Sequence, residues 1–291
     1  MITVIGASGV VGRPAIERLV REGARLRALT SSDSSAALLR EAGVEKTVVG
    51  DFRTDADLDR VLVDTRSVLY IPAAMQQDEA EIGKRVVAAA SAAGVDHFVF
   101  ISCFHSPVTA LAHHHHKLLV EEAILEAGLT YTILQPSMFM QNLAFIWRDI
   151  CENGVMRWPW IPSRCFNLVD VEDLAAVIVK VLLDPGLRGA TFEICGPETI
   201  SVSETAARLS RLSGKQVHAE QYDPQIWAKN MEAVGMSAWG INNMLNMARH
   251  YDEHGLTGGN PLVMEAILGR SAASYDDYVS RFLSSLPKEG V

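Results

Sequence analysis

The chain has 291 residues, of which 48% are hydrophobic and 21% charged, and its formal net charge is -9. This length suits one large domain or a domain with a smaller second one, and the acidic balance argues against binding to the phosphates of nucleic acid. We expect neither a secretory signal nor a membrane partner, and the four cysteines, which form no CxxC pair, favour reduced thiols in a cytoplasmic protein.

Strand-like and helix-like segments alternate over the first 136 residues. The predicted strands cover residues 2–5, 26–29, 47–49, 67–71, 97–102 and 130–134. The predicted helices cover residues 13–22, 55–63, 79–93 and 111–127, and a further helix ends at residue 42. Such alternation with short connections is typical of a mainly parallel sheet with helices on both faces, which places the chain in the α/β class.

The pattern changes after Pro136. Helices are predicted over residues 138–151, 170–183 and 203–213, with one more strand over residues 191–195. The stretch MRWPWIPSRCF, which begins at Met156, is predicted to be a loop because of its two prolines. From Gln216 onward we expect a less regular tail.

Three glycines connect the first strand to the first helix. In this position Gly6 permits a tight turn, Gly9 lets the backbone approach a pyrophosphate, and Gly12 allows close packing of the helix on the strand. The free N–H groups at the start of the helix then face the phosphates. We therefore predict a Rossmann-like doubly wound sheet with a cofactor-binding loop of Gly6, Ala7, Ser8, Gly9, Val10, Val11 and Gly12.

The end of the second strand is expected to contact the adenosine ribose. Thr30 and Ser31 are neutral there, so no carboxylate repels a 2′-phosphate, and Arg13 is a candidate to assist its binding. No arginine follows the strand, and the sequence favours NADP(H) only weakly over NAD(H). Asp51 and Phe52 follow the third strand and are candidates for the adenine edge, although an ordinary turn explains them nearly as well.

Two regions are predicted from this pattern. Residues 1–150 are expected to form an NAD(P)-binding Rossmann core, to which residues 168–196 return. Residues 151–167 and 197–291 are expected to form a smaller, C-terminal substrate-binding cap.

Several longer motifs make the chain similar to the NmrA-like family, a branch of the atypical short-chain dehydrogenases/reductases. They are GASGVVGR, VVGDF, FVFIS, HHHHKLLVEEAILEAGLTYTILQPSMFMQNL, NLVDVEDLAAVIVKVL and, more weakly, ILGRSAASYDDYVSRFL. The resemblance implies NAD(P) binding. It does not name a substrate, because the family includes reductases of quinones, dyes and plant phenolics as well as regulators that bind the nucleotide without turnover.

The resemblance also implies a catalytic site. Short-chain reductases use a Tyr and a Lys four residues apart on a helix, with a Ser at the end of a preceding strand. Lys117 and Ser102 match the Lys and the Ser, but His113 stands where the Tyr is expected. His113 is therefore a candidate acid, with water as the alternative.

Further contacts are expected where strands end, because ligands of open α/β sheets bind at that edge. Candidate nucleotide contacts there are Pro72, Ala73, Pro136, Ser137 and Met138, and the resemblance implies Lys117, on its helix, as a further one. Candidate substrate contacts are His105, Gln141, Asn142, Trp158, Trp160 and Trp227, although packing within the protein explains the tryptophans equally well. The run of four histidines from His113 lacks partner ligands, so no metal is expected.

These features predict an NAD(P)H-dependent oxidoreductase that transfers hydride to a hydrophobic carbonyl, quinone or conjugated aromatic substrate. The alternatives are a redox-sensing regulator that binds NAD(P) without turnover and a non-redox isomerase or lyase on the same scaffold. Either a monomer or a homodimer is compatible with the sequence.

Overall fold

The computed structural model describes residues 1–73 and 75–287. Its strands are β1 Ile2–Ile5, β2 Leu26–Thr30, β3 Lys46–Val49, β4 Ser67–Tyr70, β5 His97–Ile101, β6 Tyr131–Pro136, β7 Met138–Phe139, β8 Val155–Trp158, β9 Cys165–Val169, β10 Ala190–Ile194, β11 Thr199–Ser201 and β12 His218–Gln221. Its α-helices are α1 Gly12–Arg21, α2 Asp33–Glu41, α3 Asp55–Leu62, α4 Glu79–Ala92, α5 Ala112–Glu126, α6 Leu143–Asn153, α7 Val171–Leu183, α8 Val202–Ser213, α9 Pro224–Ala233, α10 Ala238–His254, α11 Leu262–Leu268 and α12 Tyr275–Ser285.

The chain divides into two compact units. The first comprises residues 1–136, 171–193 and 266–269, and the second comprises residues 137–170, 194–265 and the chain from 270 onward. That the first unit binds nucleotide and the second binds substrate stays a prediction.

The first unit contains a seven-stranded sheet in the order β10-β6-β5-β4-β1-β2-β3. The strand pairs from β3 through β6 are parallel, and β1 pairs with both β2 and β4. The chain adds strands on one side of β1 and then returns to the other side, so the order reverses between β1 and β4. This confirms the predicted α/β, doubly wound fold, and such a reversal is where these sheets bind ligands.

Apolar helix faces cover this sheet. Helices α3, α4 and α5 contribute Leu58, Val86 and Ile124 to a core that also contains Tyr70 and Phe100 from the strands. Helices α1 and α7 pack against each other. Because β1, β2, β4 and β5 are almost entirely buried, they carry apolar residues at successive positions, as a sheet covered on both faces requires.

The second unit holds a three-stranded sheet in the order β11-β9-β7 and a parallel pair, β8 with β12. Three predictions were wrong here. Residues 138 and 139 pair with β9 and a 3-10 turn follows, so α6 begins only at Leu143. The predicted loop from Met156 contributes to β8 and β9, since both strands find their partners far along the chain. The expected irregular tail contains β12 and helices α9 to α12.

The helices after Gln216 begin at recognisable caps. Asp223 accepts a hydrogen bond from the N–H of Ile226 at the start of α9, and Ser274 forms a capping box with Asp277 at the start of α12. None of the helices in the described part of the chain is both long and apolar enough to cross a membrane.

Candidate functional site

The glycine loop joins β1 to α1, and the fold itself requires two of its glycines. Gly6 has a φ of +90°, and a Cβ there would lie 2.1 Å from the carbonyl oxygen of Ile71. A Cβ on Gly12 would lie 2.4 Å from the carbonyl oxygen of Gly6. Any side chain at these positions would force the backbone apart.

At Gly9, by contrast, no contact within the protein requires a glycine. A Cβ at Gly9 would meet only the carbonyl oxygen of Gly6, at an ordinary contact distance of 3.6 Å, and Gly9 is not among the glycines with positive φ. The glycine at this exposed position therefore leaves space for something other than the protein. A dinucleotide pyrophosphate, which needs close approach of the backbone, fits that space.

The first turn of α1 has two features that favour binding of an anion. Val11 at its N-cap provides no side-chain hydrogen bond, and the first turn contains no acidic residue. By contrast, α2 and α3 both begin with a hydroxyl cap and an aspartate. The first N–H groups of a helix carry a partial positive charge. In α2 and α3 side-chain oxygen atoms of the protein accept hydrogen bonds from these groups, whereas in α1 they remain available to a phosphate.

Two further features lie beside the loop. Thr30, at the end of β2, is buried, and its Oγ1 has no hydrogen-bond partner among the described residues. The Nε of Arg13 donates to the carbonyl oxygen of Ser8 at 3.1 Å, and both residues line a cleft of about 160 Å³ that also includes Ser35 and Glu17. An orphaned hydroxyl and an arginine at this edge fit the ribose end of a dinucleotide.

The predicted adenine contacts Asp51 and Phe52 follow β3, and the predicted nucleotide contacts Pro72 and Ala73 follow β4. The N–H of Asp51 donates to Asp57 Oδ2 at 2.8 Å, and the guanidinium of Arg53 lies 5.1 Å from the centre of the Phe52 ring. Ser31 and Ala73 are exposed and Pro72 is half-buried. These residues follow parallel strands, so they share one edge of the sheet with the glycine loop.

Lys117 forms a buried ion pair that the sequence did not reveal. Its Nζ lies 2.6 Å from Oε1 of Glu79, and the two residues are only 8% and 2% exposed. The same Nζ lies 5.7 Å from the centre of the Phe100 ring. Glu79 is the first residue of α4, where the helix dipole favours its negative charge.

Ser102 belongs to a neighbouring polar cluster. Its hydroxyl donates to Oε1 of Glu121, which lies one helical turn beyond Lys117 on α5. The Nε2 of Gln135 donates to both oxygens of the Glu121 carboxylate, at 2.9 and 3.1 Å, and to the hydroxyl of Ser106. The one proton of the Ser102 hydroxyl is therefore committed to Glu121. Neither Glu121 nor Gln135 was predicted, because nothing in the local sequence links them to Ser102.

His113 lies one turn before Lys117, as predicted from their spacing. Burial lowers its pKa well below 6.5, and the neighbouring charges of His114, Lys117 and His116 lower it further. Its Nδ1 is buried and has no hydrogen-bond partner in the described part of the chain. At neutral pH His113 is therefore a neutral imidazole.

His105 is held in an unusual conformation. Its φ is +58°, its ring stacks on Phe104 with centroids 3.7 Å apart, and its carbonyl oxygen accepts a hydrogen bond from Nδ1 of His114 at 2.9 Å. Burial lowers the pKa of His105 as well. Within residues 1–73 and 75–287, no three His, Cys, Asp or Glu side chains are placed to hold a metal ion.

The second unit contains most of the predicted substrate residues. Pro136, a predicted nucleotide contact, ends β6 in the first unit, and its carbonyl oxygen accepts a hydrogen bond from the N–H of Phe104. Ser137 is buried, and its Oγ lacks a hydrogen-bond partner among the described residues. Gln141 donates to Oδ1 of Asp170 at 2.7 Å, so its amide already has one partner within the protein.

An apolar groove in the second unit brings some of these residues together and leaves others out. Met138, Asn142, Trp158 and Trp160 line it. The rings of Trp158 and Trp160 are parallel, with centroids 5.1 Å apart. Trp227 lies in α9 and is not part of the groove lining.

The fold and the loop geometry are those of a Rossmann-like protein with a glycine loop after its first strand. The chain matches the model of the NmrA-like family over residues 1–279, and it belongs to that family.

Several known proteins are similar to this chain in sequence or in fold. The chain is 33% identical to a (4-alkanoyl-5-oxo-2,5-dihydrofuran-3-yl)methyl phosphate reductase of Streptomyces griseus, over 76% of this chain and 77% of that protein. It is 29% identical to an NAD(P)H azoreductase of Xenophilus azovorans, over 81% and 82% of the two chains. The Escherichia coli quinone oxidoreductase QOR2 complexed with NADPH shares the fold, with a TM-score of 0.84 at 22% identity, covering 97% of this chain and all of that one.

Proposed function

We propose that this protein is an NAD(P)H-dependent reductase of hydrophobic carbonyl, quinone or conjugated aromatic compounds. The observation that carries the proposal is Gly9, a glycine that the protein does not need, beside a helix start that has neither an acid nor a cap. Both features make sense if a pyrophosphate binds there.

The relatives support the chemistry. Their names describe reduction of an azo compound, a quinone and an alkanoyl-substituted oxo-dihydrofuran phosphate. These compounds share a conjugated group that accepts electrons. A bound reduced nicotinamide supplies the hydride for such an acceptor, and the protein positions the reactants and excludes water.

The residues of the first unit have separate tasks in this proposal. The N–H groups at the start of α1 would bind the phosphates, and Thr30 and Ser31, at the end of β2, would contact the adenosine ribose. Lys117, held by Glu79, contributes a fixed positive charge and binds the nicotinamide ribose. Because its carboxylate partner is buried with it, the lysine keeps its position before any ligand binds.

The reduction is completed by a proton. In a short-chain reductase a tyrosine donates this proton, but this chain has His113 at that position, so the proton needs a different source. The Ser102 hydroxyl donates its hydrogen bond to Glu121, and His113 is neutral at pH 7. We therefore propose that water delivers the proton and that His113 and Ser102 act only as hydrogen-bonding groups.

Arg13 supports a preference for NADP(H). Its guanidinium lines a cleft beside the glycine loop together with Ser8 and Ser35, and no carboxylate follows β2 until Asp33. Arginine binds phosphate strongly, and hydroxyl groups complete such a site. Glu17 also lines the cleft and reduces the positive potential there, so we propose a modest preference rather than a strict one.

Titration followed by turnover tests this proposal. Purified protein is titrated with NADPH and NADH while nicotinamide fluorescence is recorded, and a panel of quinones, azo dyes and aromatic ketones is then added to the tighter complex. Oxidation of the bound nucleotide by a member of the panel is the expected result. Binding without oxidation across the panel would favour a nucleotide-sensing regulator instead.

A further inference from the structure

The last two turns of α10 present two histidines on one side of the helix. His250 and His254 are four residues apart, and no other two histidines in the sequence have this spacing. Residues four apart are neighbours on the surface of a helix. The ring centres of His250 and His254 accordingly lie 4.6 Å apart, with 55° between the ring planes.

This ring separation fits a shared metal ion. An imidazole nitrogen binds Zn²⁺ at roughly 2.0–2.1 Å, so two imidazoles on one ion, with bonds at about 90–110° to each other, have ring centres roughly 4.5–5.2 Å apart. The observed separation of 4.6 Å lies within this range. The helix itself therefore places the two rings at a distance from which both can bind one ion.

Both rings are available as ligands. His254 is exposed, and its Nε2 lies 3.4 Å from Oε2 of Glu253, which is also exposed. His250 is half-buried, and its ring contacts the rings of Tyr251 and His254. Burial and the neighbouring His254 lower the pKa of His250, so this imidazole is neutral at pH 7 and its lone pair can bind a metal.

The charges around the two rings favour a cation. His254 is the last residue of α10, where the final carbonyl groups form the negative end of the helix dipole. Glu253 adds a carboxylate beside His254. The guanidinium of Arg249, one turn before Glu253, donates to the side-chain oxygen of Asn246. The end of α10 therefore combines two imidazoles with a negative potential.

The inner side of the same turn supports the core of the second unit. Tyr251 is 2% exposed, and its ring packs edge-on against the rings of Trp160 and Phe166, with centres 5.6 and 5.5 Å away. An ion that links His250 to His254 would fix the turn that carries Tyr251. Metal binding at the surface is thus connected to packing in the interior.

We propose that His250 and His254 form a binding site for a divalent transition-metal ion, in which the two imidazoles are the protein ligands and water completes the coordination. Zn²⁺, Ni²⁺ and Cu²⁺ accept imidazole ligands readily, whereas Ca²⁺ and Mg²⁺ prefer oxygen. Two protein ligands hold an ion less tightly than the four of a structural zinc site, so the ion exchanges with the solution. The site is independent of the proposed reductase function.

A zinc titration of the full chain tests the site. The protein is freed of metal with a chelator and titrated with Zn²⁺ at pH 7.5, and the dissociation constant is measured by competition with a chromophoric zinc indicator. The variants are His250→Gln, His254→Gln and the double variant. His218→Gln is the matched control, because His218 is similarly exposed and its Nε2 lies 2.9 Å from Oε1 of Glu220, but no histidine is four residues away.

We expect each single variant to weaken Zn²⁺ binding at least about 10-fold, and the double variant to lose little more, because one imidazole alone cannot chelate the ion. His218→Gln should change the dissociation constant less than about 2-fold. Unchanged binding in both single variants would overturn the proposal. An equal loss in His218→Gln, or displacement of Zn²⁺ by millimolar Mg²⁺, would also overturn it, because either result would show unspecific binding to the acidic surface.

A measurement on the wild type locates the ion directly. Substoichiometric Ni²⁺, which is paramagnetic, broadens the imidazole C–H resonances of its ligands, and the two single variants assign the resonances of His250 and His254. We expect these two resonances to broaden before those of the other histidines. Broadening that begins instead in the run from His113 to His116 would place the ion there and overturn the assignment to α10.

Discussion

The Nζ of Lys117 and Oε1 of Glu79 lie 2.6 Å apart and are both nearly inaccessible to water. An ion pair in this setting stabilises the fold mainly by preventing an uncompensated buried charge. The pair also decides where the lysine stands before a nucleotide arrives. Glu79 is therefore a positioning residue for Lys117.

Glu79→Gln tests this relationship. Because the substitution leaves the lysine charge buried and unpaired, we expect a loss of about 3 kcal/mol in the free energy of unfolding, measured with urea. Glu81→Gln in the same turn of α4 is the control, since Glu81 is exposed and pairs with Lys84 at the surface, and it should cost less than about 1 kcal/mol. A double variant with Lys117→Met should lose less than the sum of the two single losses. Additive losses would argue against coupling of the two charges.

Gly9→Ala tests whether the glycine is required for nucleotide binding and not for the stability of the fold. The added Cβ meets only an ordinary contact at 3.6 Å, so we expect the stability to change by less than about 1 kcal/mol while the NADPH dissociation constant rises roughly 10-fold or more. Gly12→Ala should instead destabilise the protein, because its Cβ would lie 2.4 Å from a backbone oxygen. Both effects are read from urea unfolding and from nicotinamide fluorescence. Unchanged NADPH affinity in Gly9→Ala would place the pyrophosphate elsewhere.

Arg13→Ala tests the nucleotide preference. We expect the NADPH dissociation constant to rise about 10-fold and that for NADH to change less than about 2-fold, because only NADPH carries the 2′-phosphate. Arg21→Ala, at the exposed end of the same helix, controls for the general loss of positive charge. An equal loss of affinity for both nucleotides would assign Arg13 to the shared part of the dinucleotide.

His97 makes the stability depend on pH. It is fully buried in β5, its Nε2 lies 2.9 Å from the Thr132 hydroxyl oxygen, and burial lowers its pKa from 6.5 to about 4. The unfolded chain binds a proton below pH 6.5 while the folded protein does not, so stability from this residue is lost as the pH falls from 6.5 toward 4, by about 3 kcal/mol in total. His97→Gln should reduce this slope in urea unfolding, whereas the exposed His218 replaced by Gln should retain it. An unchanged slope in His97→Gln would show that the carboxylates alone cause it.

His113 gives an expectation for the pH profile of turnover. Because its pKa lies well below 6.5, His113 does not change charge between pH 6.5 and 8. The profiles of kcat for the wild type and for His113→Gln should therefore have the same shape over this range. A limb with a midpoint near neutrality that disappears in His113→Gln would show that His113 donates the proton.

The sequence predicted the first unit well because its signals are local. Apolar runs identify the covered strands β1, β2, β4 and β5, and glycines follow the ends of α1, α4 and α5, so no knowledge of distant partners is needed. The partners of the catalytic candidates were missed for the opposite reason. Glu79 meets Lys117 across 38 positions of the sequence, and Gln135, in β6, donates to Glu121, which lies in α5.

The second unit was harder to predict. Strand β8 pairs with β12, whose residues lie some 60 positions away, and the prolines between Trp158 and Arg164 conceal the strands on either side. Helices α9 and α12 were missed because mixed polar and apolar residues follow the caps Asp223 and Ser274 and hide a helical period. That the tryptophans contact substrate stays a prediction, and only packing shows that Trp158 and Trp160 share a groove that Trp227 does not line.

The most direct test of the proposed reductase is a single-turnover experiment. The protein is saturated with NADPH, a quinone is added, and the loss of nicotinamide absorbance is followed with the wild type and with Lys117→Met. We expect saturable binding and oxidation of about one equivalent of bound NADPH by the wild type, and slower oxidation by the variant. Wild-type protein that binds NADPH but leaves it reduced with every quinone, azo dye and aromatic ketone would contradict the assignment as a reductase, and absence of NADPH and NADH binding would contradict the dinucleotide site itself.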